Sequence, residues 1–251
     1  MALDYNQQSY TKTANQVVID EGLRTYMLKV YNYMTTGLAI TGAVSYYIAQ
    51  LCFDFDKNPS NPSFFTDTGS LLFGTGLKWI IFLAPLAFVF YLSSRINKIS
   101  LNSAFIIFFV FSAVMGLSLC PILAIYTGAS IARVFFISSS VFLAMSLYGY
   151  TTKKDLTGFG SFLMMGLIGI IVASIVNWWM QSPLLYLGIS CIGVLIFVGL
   201  TAYDTQKIKN MYTGSDSQET NSKKALMGAL TLYLDFINLF IMLLRLFGQR
   251  R

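Results

Sequence analysis

Leu232-Tyr-Leu-Asp-Phe-Ile-Asn-Leu-Phe240 is the stretch whose reading decides the fold. It sits inside an apolar run from roughly Ala225 to Phe247, and Asp235 is the one acid in that run. The nearest formal charges along the chain are Lys224 and Arg245. A carboxylate at membrane depth costs ~2.5 kcal/mol or more, so its presence calls for a function or a partner. The apolar run before it, roughly Pro183 to Lys207, ends in Gly199-Leu-Thr-Ala-Tyr-Asp-Thr-Gln-Lys207 and carries Asp204. A polar loop, Ile208 to Lys224, joins the two runs. Two acids on consecutive helices joined this way point to one shared site, with the rest of the chain as its scaffold.

Outward from this pair, composition sets the class. Of 251 residues 55% are hydrophobic and 11% charged, where a soluble domain has about 25% charged residues. A spanning helix needs about 20 mainly apolar residues. Such stretches run from about Met27 to Phe53, Trp79 to Ile96, Leu101 to Tyr126, Val134 to Tyr150 and Phe162 to Trp179, followed by the two acid-bearing runs. The sequence therefore predicts an all-α polytopic membrane protein with seven transmembrane helices. The short alternating segments of a transmembrane barrel are missing. The expected layout is a polar cytosolic tail over 1–27, one membrane domain over 28–247 and a short tail over 248–251.

The connections read as follows. Asp54 to Lys78 holds aspartates, prolines and Asn/Ser/Gly clusters, and is expected to be irregular and solvent-facing. Pro85 predicts a kink in the second span. Gly74-Thr-Gly76 and Gly158-Phe-Gly160 lack any phosphate-loop context and read as turns. Ile208 to Lys224 reads as a mobile cytosolic loop. No secretory signal pattern opens the sequence. With the N-terminus inside, the inner segments hold Lys12, Arg24, Lys29, Arg95, Lys98, Lys153, Lys154, Lys207, Lys209, Lys223 and Lys224, against Lys57, Lys78 and Arg133 outside. That imbalance follows the positive-inside rule. Arg245, Arg250 and Arg251 fall outside if the last segment crosses fully; a re-entrant last segment is the alternative.

Several classes drop out. The net charge of +6 is scattered between apolar spans rather than gathered with aromatics on one face, so nucleic acid is not an expected partner. The chain has no histidine, which removes His-bearing zinc motifs, the Ser-His-Asp triad and histidine switches. Cys52, Cys120 and Cys191 are widely spaced and read as inert packing. No nucleophile–base set occurs among the spans, so an enzyme is not expected, nor is a resident cofactor.

The chemistry rests on few residues. Two carboxyls at close range in a low dielectric cannot both ionise cheaply, so Asp204 and Asp235 are expected to share a proton. That makes a pH-sensitive element without histidine. It also attracts a hard cation such as Ca²⁺, which prefers carboxylate oxygens; two carboxylates suit weak binding in transit rather than storage. Arg95, at the inner end of the second span, is a candidate latch that neutralises one aspartate, and equally an ordinary boundary residue. For Asp204 the plain alternative is a snorkelling boundary residue; for Asp235 it is a helix-packing hydrogen bond.

The motifs Arg24-Thr-Tyr-Met-Leu-Lys-Val-Tyr-Asn-Tyr-Met34, Ile125-Tyr-Thr-Gly128, Ser146-Leu-Tyr-Gly-Tyr150, Gly166-Leu-Ile-Gly169, Thr201-Ala-Tyr-Asp-Thr-Gln-Lys207 and Ala229-Leu-Thr-Leu-Tyr-Leu-Asp-Phe-Ile-Asn-Leu-Phe240 span nearly the whole chain. In these the sequence resembles the Bax inhibitor-1 family, the transmembrane Bax inhibitor motif proteins, in a bacterial-type form. The resemblance implies a seventh helix surrounded by the other six, and a pH-sensitive Ca²⁺ leak. It implies that Asp204 and Asp235 form the proton-sensing pair and, less directly, that Arg95 pairs with one of them. The expected setting is a bacterial cytoplasmic membrane with the N-terminus cytosolic, and the expected partners are lipid, Ca²⁺ and H⁺. Two rivals stay open: a proton-coupled cation exchanger using the same pair, and a non-transporting adaptor that binds membrane proteases or cell-death regulators.

Overall fold

The computed structural model of the chain describes residues 2–57 and 64–251, with side chains from residue 21 onward. Among the described residues there are eight α-helices and no strands, apart from two isolated bridges, Phe53 with Phe65 and Tyr126 with Arg250. They are α1 (Ala2–Cys52), α2 (Asp67–Gly74), α3 (Leu77–Arg95), α4 (Leu101–Ile125), α5 (Gly128–Thr151), α6 (Thr157–Met180), α7 (Pro183–Asn210) and α8 (Gln218–Phe247). Six of these, α3 to α8, are long and apolar enough to cross a membrane. The first expected span lies within α1 but is diluted by Thr35, Thr36, Thr41, Ser45 and Gln50, and does not reach that apolarity. The expected polar tail over 1–27 falls partly outside the described side chains; its backbone from Ala2 is continuous with α1.

The helix ends follow local chemistry. Ser100, Thr127, Ser182 and Ser217 each accept a backbone N–H from the first turn of the helix that follows. The Thr127 cap starts α5 at Gly128, so the expected link up to Arg133 is helical instead. Asp155 accepts both the N–H (2.9 Å) and the hydroxyl (2.6 Å) of Thr157, and these bonds hold its carboxyl below the usual range. They place Gly158 and Gly160 inside α6 rather than in a turn. The Asp54–Lys78 connection is not wholly irregular. Thr66 caps the short helix α2, and Phe53, Phe55, Phe64, Phe65 and Phe73 stack together around it; residues 58–63 of that connection lie outside the described set. The Ile208–Lys224 loop shrinks to Met211–Ser217, with Lys224 paired to Asp216. α3 and α4 continue through Pro85 and Pro121.

α8 has the deepest burial: 67% of its most apolar stretch is buried, against 17% for α3 and α6. It packs directly on α1, α4, α5 and α7, while α3 leans on α4 and α6 leans on α7. It is one unbroken helix from Gln218 to Phe247. After it, the chain docks on the α4–α5 turn, where Thr127 N–H reaches the Gln249 carbonyl (3.0 Å) and Arg251 N–H reaches Ile125 (3.0 Å). Tyr26 of α1 meets Tyr212 just past α7, at the opposite end of the bundle.

Two contacts lock the dry side. Gly149 of α5 lies so close to α7 that a Cβ there would run into the Ala202 carbonyl, the close approach that small residues permit in lipid. The fully buried Tyr233 donates to Thr41 Oγ1 (2.6 Å), whose own proton serves the Ser112 carbonyl (2.8 Å), tying α8 to α1 and α4. Gly149→Val is expected to lower stability by about 1–3 kcal/mol through overpacking, whereas Gly169→Ala, with open space at its Cβ, leaves the melting temperature in detergent unchanged. Tyr233→Phe keeps the ring contacts with Phe108 and Phe111 and loses the hydroxyl bond. Its expected cost is about 0.5–1.5 kcal/mol, read as a lower thermal midpoint with unchanged helix content.

Candidate functional site

α7 and α8 form a helical hairpin, and its register sets both acids at the same depth. Ser182 and Pro183 start α7, and Ser217 starts α8 after a connection of a few residues. On α7 Leu200, Tyr203, Asp204 and Lys207 face one way; on α8 Thr231, Leu234, Asp235 and Asn238 do the same, at the three- and four-residue spacing of a helix face. All eight line one cavity of about 690 Å³. Its other walls are Phe82, Pro85, Leu86 and Val89 of α3, Met115, Ser118 and Leu119 of α4, Met164 and Leu167 of α6, and Phe197 of α7. α3 and α6 thus face the acid-bearing side of α8 across this cavity.

The two predicted acids meet. Asp204 is 8% exposed and Asp235 6%, and their carboxyl groups lie within hydrogen-bonding range of each other. The Asp235 Oδ2 atom is buried, and no N–H or hydroxyl of the described residues reaches it. Two carboxyl groups can bond only through a shared proton.

The predicted latch is not formed. Arg95 closes α3 and is exposed. Among the described residues it makes no ion pair with either aspartate. A guanidinium at a helix C-terminus is favourably placed by the helix dipole and hydrated there, so nothing draws it inward. The cation that acts on Asp204 is Lys207, one turn on, which is exposed and lies 5.9 Å from the centre of the Tyr203 ring.

Residues that the sequence alone did not mark hold the acid-bearing turn in place. Tyr31 donates to Ser146 (2.6 Å), Ser146 to Thr205 (3.0 Å) and Thr205 to the Thr201 carbonyl (2.7 Å), a hydroxyl chain from α1 through α5 to α7. Gln206 accepts the Leu156 N–H (2.8 Å) and donates to the Lys154 carbonyl (2.8 Å), clamping the α5–α6 link. Lys209 donates to the Tyr150 carbonyl (2.8 Å). Thr205 and Gln206 follow Asp204 within one quoted motif, and Tyr31 and Ser146 fall in two others, but no spacing tied any of them to the acids. Asn238, three residues past Asp235, was legible by helix spacing alone.

Comparison with known proteins follows the same span. The family described as Inhibitor of apoptosis-promoting Bax1 matches residues 23–251. The chain is 48% identical over 232 residues to the inner membrane protein YbhL of Escherichia coli K12, covering 92% of this chain and 94% of that one. It is 46% identical over 249 residues, 99% of both chains, to the uncharacterized protein RP147 of Rickettsia prowazekii. An uncharacterized membrane protein of Streptococcus pyogenes is 36% identical over 230 residues, 92% of this chain and 95% of that one. A match over nearly all of the chain, on a multi-pass helical architecture, makes this protein a member of the Bax inhibitor-1 family.

Proposed function

We propose that this protein is a passive, pH-sensitive Ca²⁺ leak in a bacterial cytoplasmic membrane, gated by Asp204 and Asp235. The observation that carries this reading is the carboxyl pair itself, buried in direct contact at the wall of a 690 Å³ cavity. With one proton shared, the pair holds a single negative charge. Losing that proton sets two anions at close range, a repulsion of about 4 kcal/mol at 4 Å and an effective dielectric of 20. One protonation event therefore changes both the charge offered to a cation and the force between α7 and α8. Ca²⁺ fits the all-oxygen donor set of carboxylates with Asn238, Thr231 and Ser118 nearby, and two carboxylates suit passage rather than capture.

In this reading α1 is a seventh spanning helix, and six helices surround α8, two of them across the cavity. The N-terminus is cytosolic, in keeping with the inner bias of lysine and arginine, and the C-terminus lies on the other face. The name of the Escherichia coli relative, an inner membrane protein, favours the cytoplasmic membrane. The protein has no enzymatic activity and no resident cofactor, with Ca²⁺ as the transported ion. Lys207 takes the neutralising part expected of Arg95, because it is the cation close to Asp204.

The test is Ca²⁺ efflux from proteoliposomes between about pH 5 and 8. Wild type is expected to change its flux by at least about tenfold across that range, the equivalent of ~1.4 kcal/mol. Asp204→Asn and Asp235→Asn are each expected to flatten the pH response, and Lys207→Gln to displace its midpoint. No flux at any pH rejects the leak. A flux whose pH response survives both asparagine variants makes the pair a packing feature, and a stoichiometric opposing proton current assigns exchange instead.

A further inference from the structure

A second cavity, of about 550 Å³, abuts the first and is lined in common by Leu167, Phe197 and Asn238. Ligand pockets have volumes of roughly 300–1,000 Å³. Apart from Asn238, Ser174 and Arg245 its walls are apolar, with Ile170, Ile171 and Ile175 of α6 and Met242 of α8 among them. Among the described residues its one charged wall residue is Arg245 in the last turn of α8, and no acid lines it. Among the described residues the half-buried Arg245 has no ion-pair partner. Its guanidinium lies 5.2 Å from the centre of the Tyr186 ring, and Nη1 reaches only the Met242 sulfur at 4.0 Å. Most of its N–H donors therefore meet no anion of the chain.

The depth of that cation is marked by tryptophan. Trp178, which lines the same cavity, is 74% exposed and Trp179 92% exposed, as aromatic residues are at the lipid–water boundary. Trp178 also meets Trp79 edge-on, 6.2 Å between ring centres, and Lys78 lies 5.8 Å from the centre of the Trp79 ring. An unpaired guanidinium thus sits at headgroup level above an apolar cleft that opens between α6, α7 and α8. Arginine binds phosphate through two parallel N–H bonds. A zwitterionic headgroup would bring an ammonium with no acid to receive it, and an acidic headgroup brings none.

We propose that this cleft is a binding site for one anionic phospholipid of the phosphatidylglycerol type, with its phosphate on Arg245 and an acyl chain running along α6 toward Asn238. The bound chain lies against the residues that separate it from the carboxyl cavity, so lipid occupancy closes that cavity on its membrane side.

The experiment uses the full chain with Trp79→Phe and Trp179→Phe, which leaves Trp178 as the sole tryptophan. It is reconstituted in phosphatidylcholine with rising fractions of acyl-brominated phosphatidylglycerol or acyl-brominated phosphatidylcholine, and Trp178 quenching is read. Half-maximal quenching is expected at an about five-fold lower fraction of the glycerol lipid, the equivalent of ~1 kcal/mol for a basic group at an anionic headgroup. Arg245→Gln should abolish the preference, and Arg245→Lys should keep part of it. If Arg245→Gln does not fold, the same titration of the Trp178-only chain in about 1 M salt, where the Debye length is about 3 Å, should shrink the preference. Equal quenching by the two lipids, a preference unchanged in Arg245→Gln or in high salt, or a preference erased by millimolar inorganic phosphate would each overturn the assignment.

Discussion

Two carboxyl groups held face to face out of water are the constraint on which the rest of this structure depends. Among the described residues Asp235 has no amide or hydroxyl donor for its buried Oδ2, and the polar partner in reach is Asp204 on the preceding helix. A contact of that kind tolerates little slippage between α7 and α8, because a shift of one residue would carry one acid about 100° around its helix. A small set of side-chain bonds between helices serves that register. The Tyr31–Ser146–Thr205 chain and the Gln206 clamp grip α7 on either side of the turn that carries Asp204.

α8 divides the bundle into two unlike halves. Tyr233 and Asp235 are two residues apart, about 200° around the helix. The Tyr233 face is closed: its hydroxyl ties α8 to Thr41 and through it to α4, among fully buried Phe108 and Phe111. The Asp235 face is open, since α3 and α6 rest on α4 and α7 and leave a 690 Å³ space in front of the acids. A packed face gives rigidity and an unpacked face gives room for an ion or for movement. The same α8 face continues through Asn238 to Met242 and Arg245, which joins the carboxyl cavity to the lateral cleft.

Membership in the Bax inhibitor-1 family and the membrane class were both legible in residues, because long apolar runs and acids inside them are local signals. The acid pair was legible for the same reason: few side chains are as conspicuous in lipid as Asp204 and Asp235. Several boundaries were not. Thr127 and Asp155 cap helices whose first turns hold Gly128, Gly158 and Gly160, and glycine in sequence reads as a turn until a cap is seen to satisfy the exposed N–H groups. Arg95, read both as a candidate latch and as an ordinary boundary residue, pairs with neither aspartate among the described residues. Its type and position fitted a latch, but pairing depends on where a flexible side chain finds its lowest free energy, and at a hydrated helix end that is in water.

The sequence by itself determined that this chain lives in a membrane as a set of long helices and that its last two carry an acid each. These follow from composition and from periodicity along single helices, which need no knowledge of neighbours. Only the tertiary structure decided that Asp204 and Asp235 touch, that Lys207 rather than Arg95 is the cation acting on Asp204, that Ser146 and Tyr31 support the acid-bearing turn, and that a cavity lies between α3, α6 and the acids. Each of these joins residues far apart in the chain. Such contacts are fixed by how helices pack against one another, through glycine contacts such as Gly149 on Ala202 and hydroxyl bonds such as Tyr233 on Thr41, and no single stretch of sequence contains both partners.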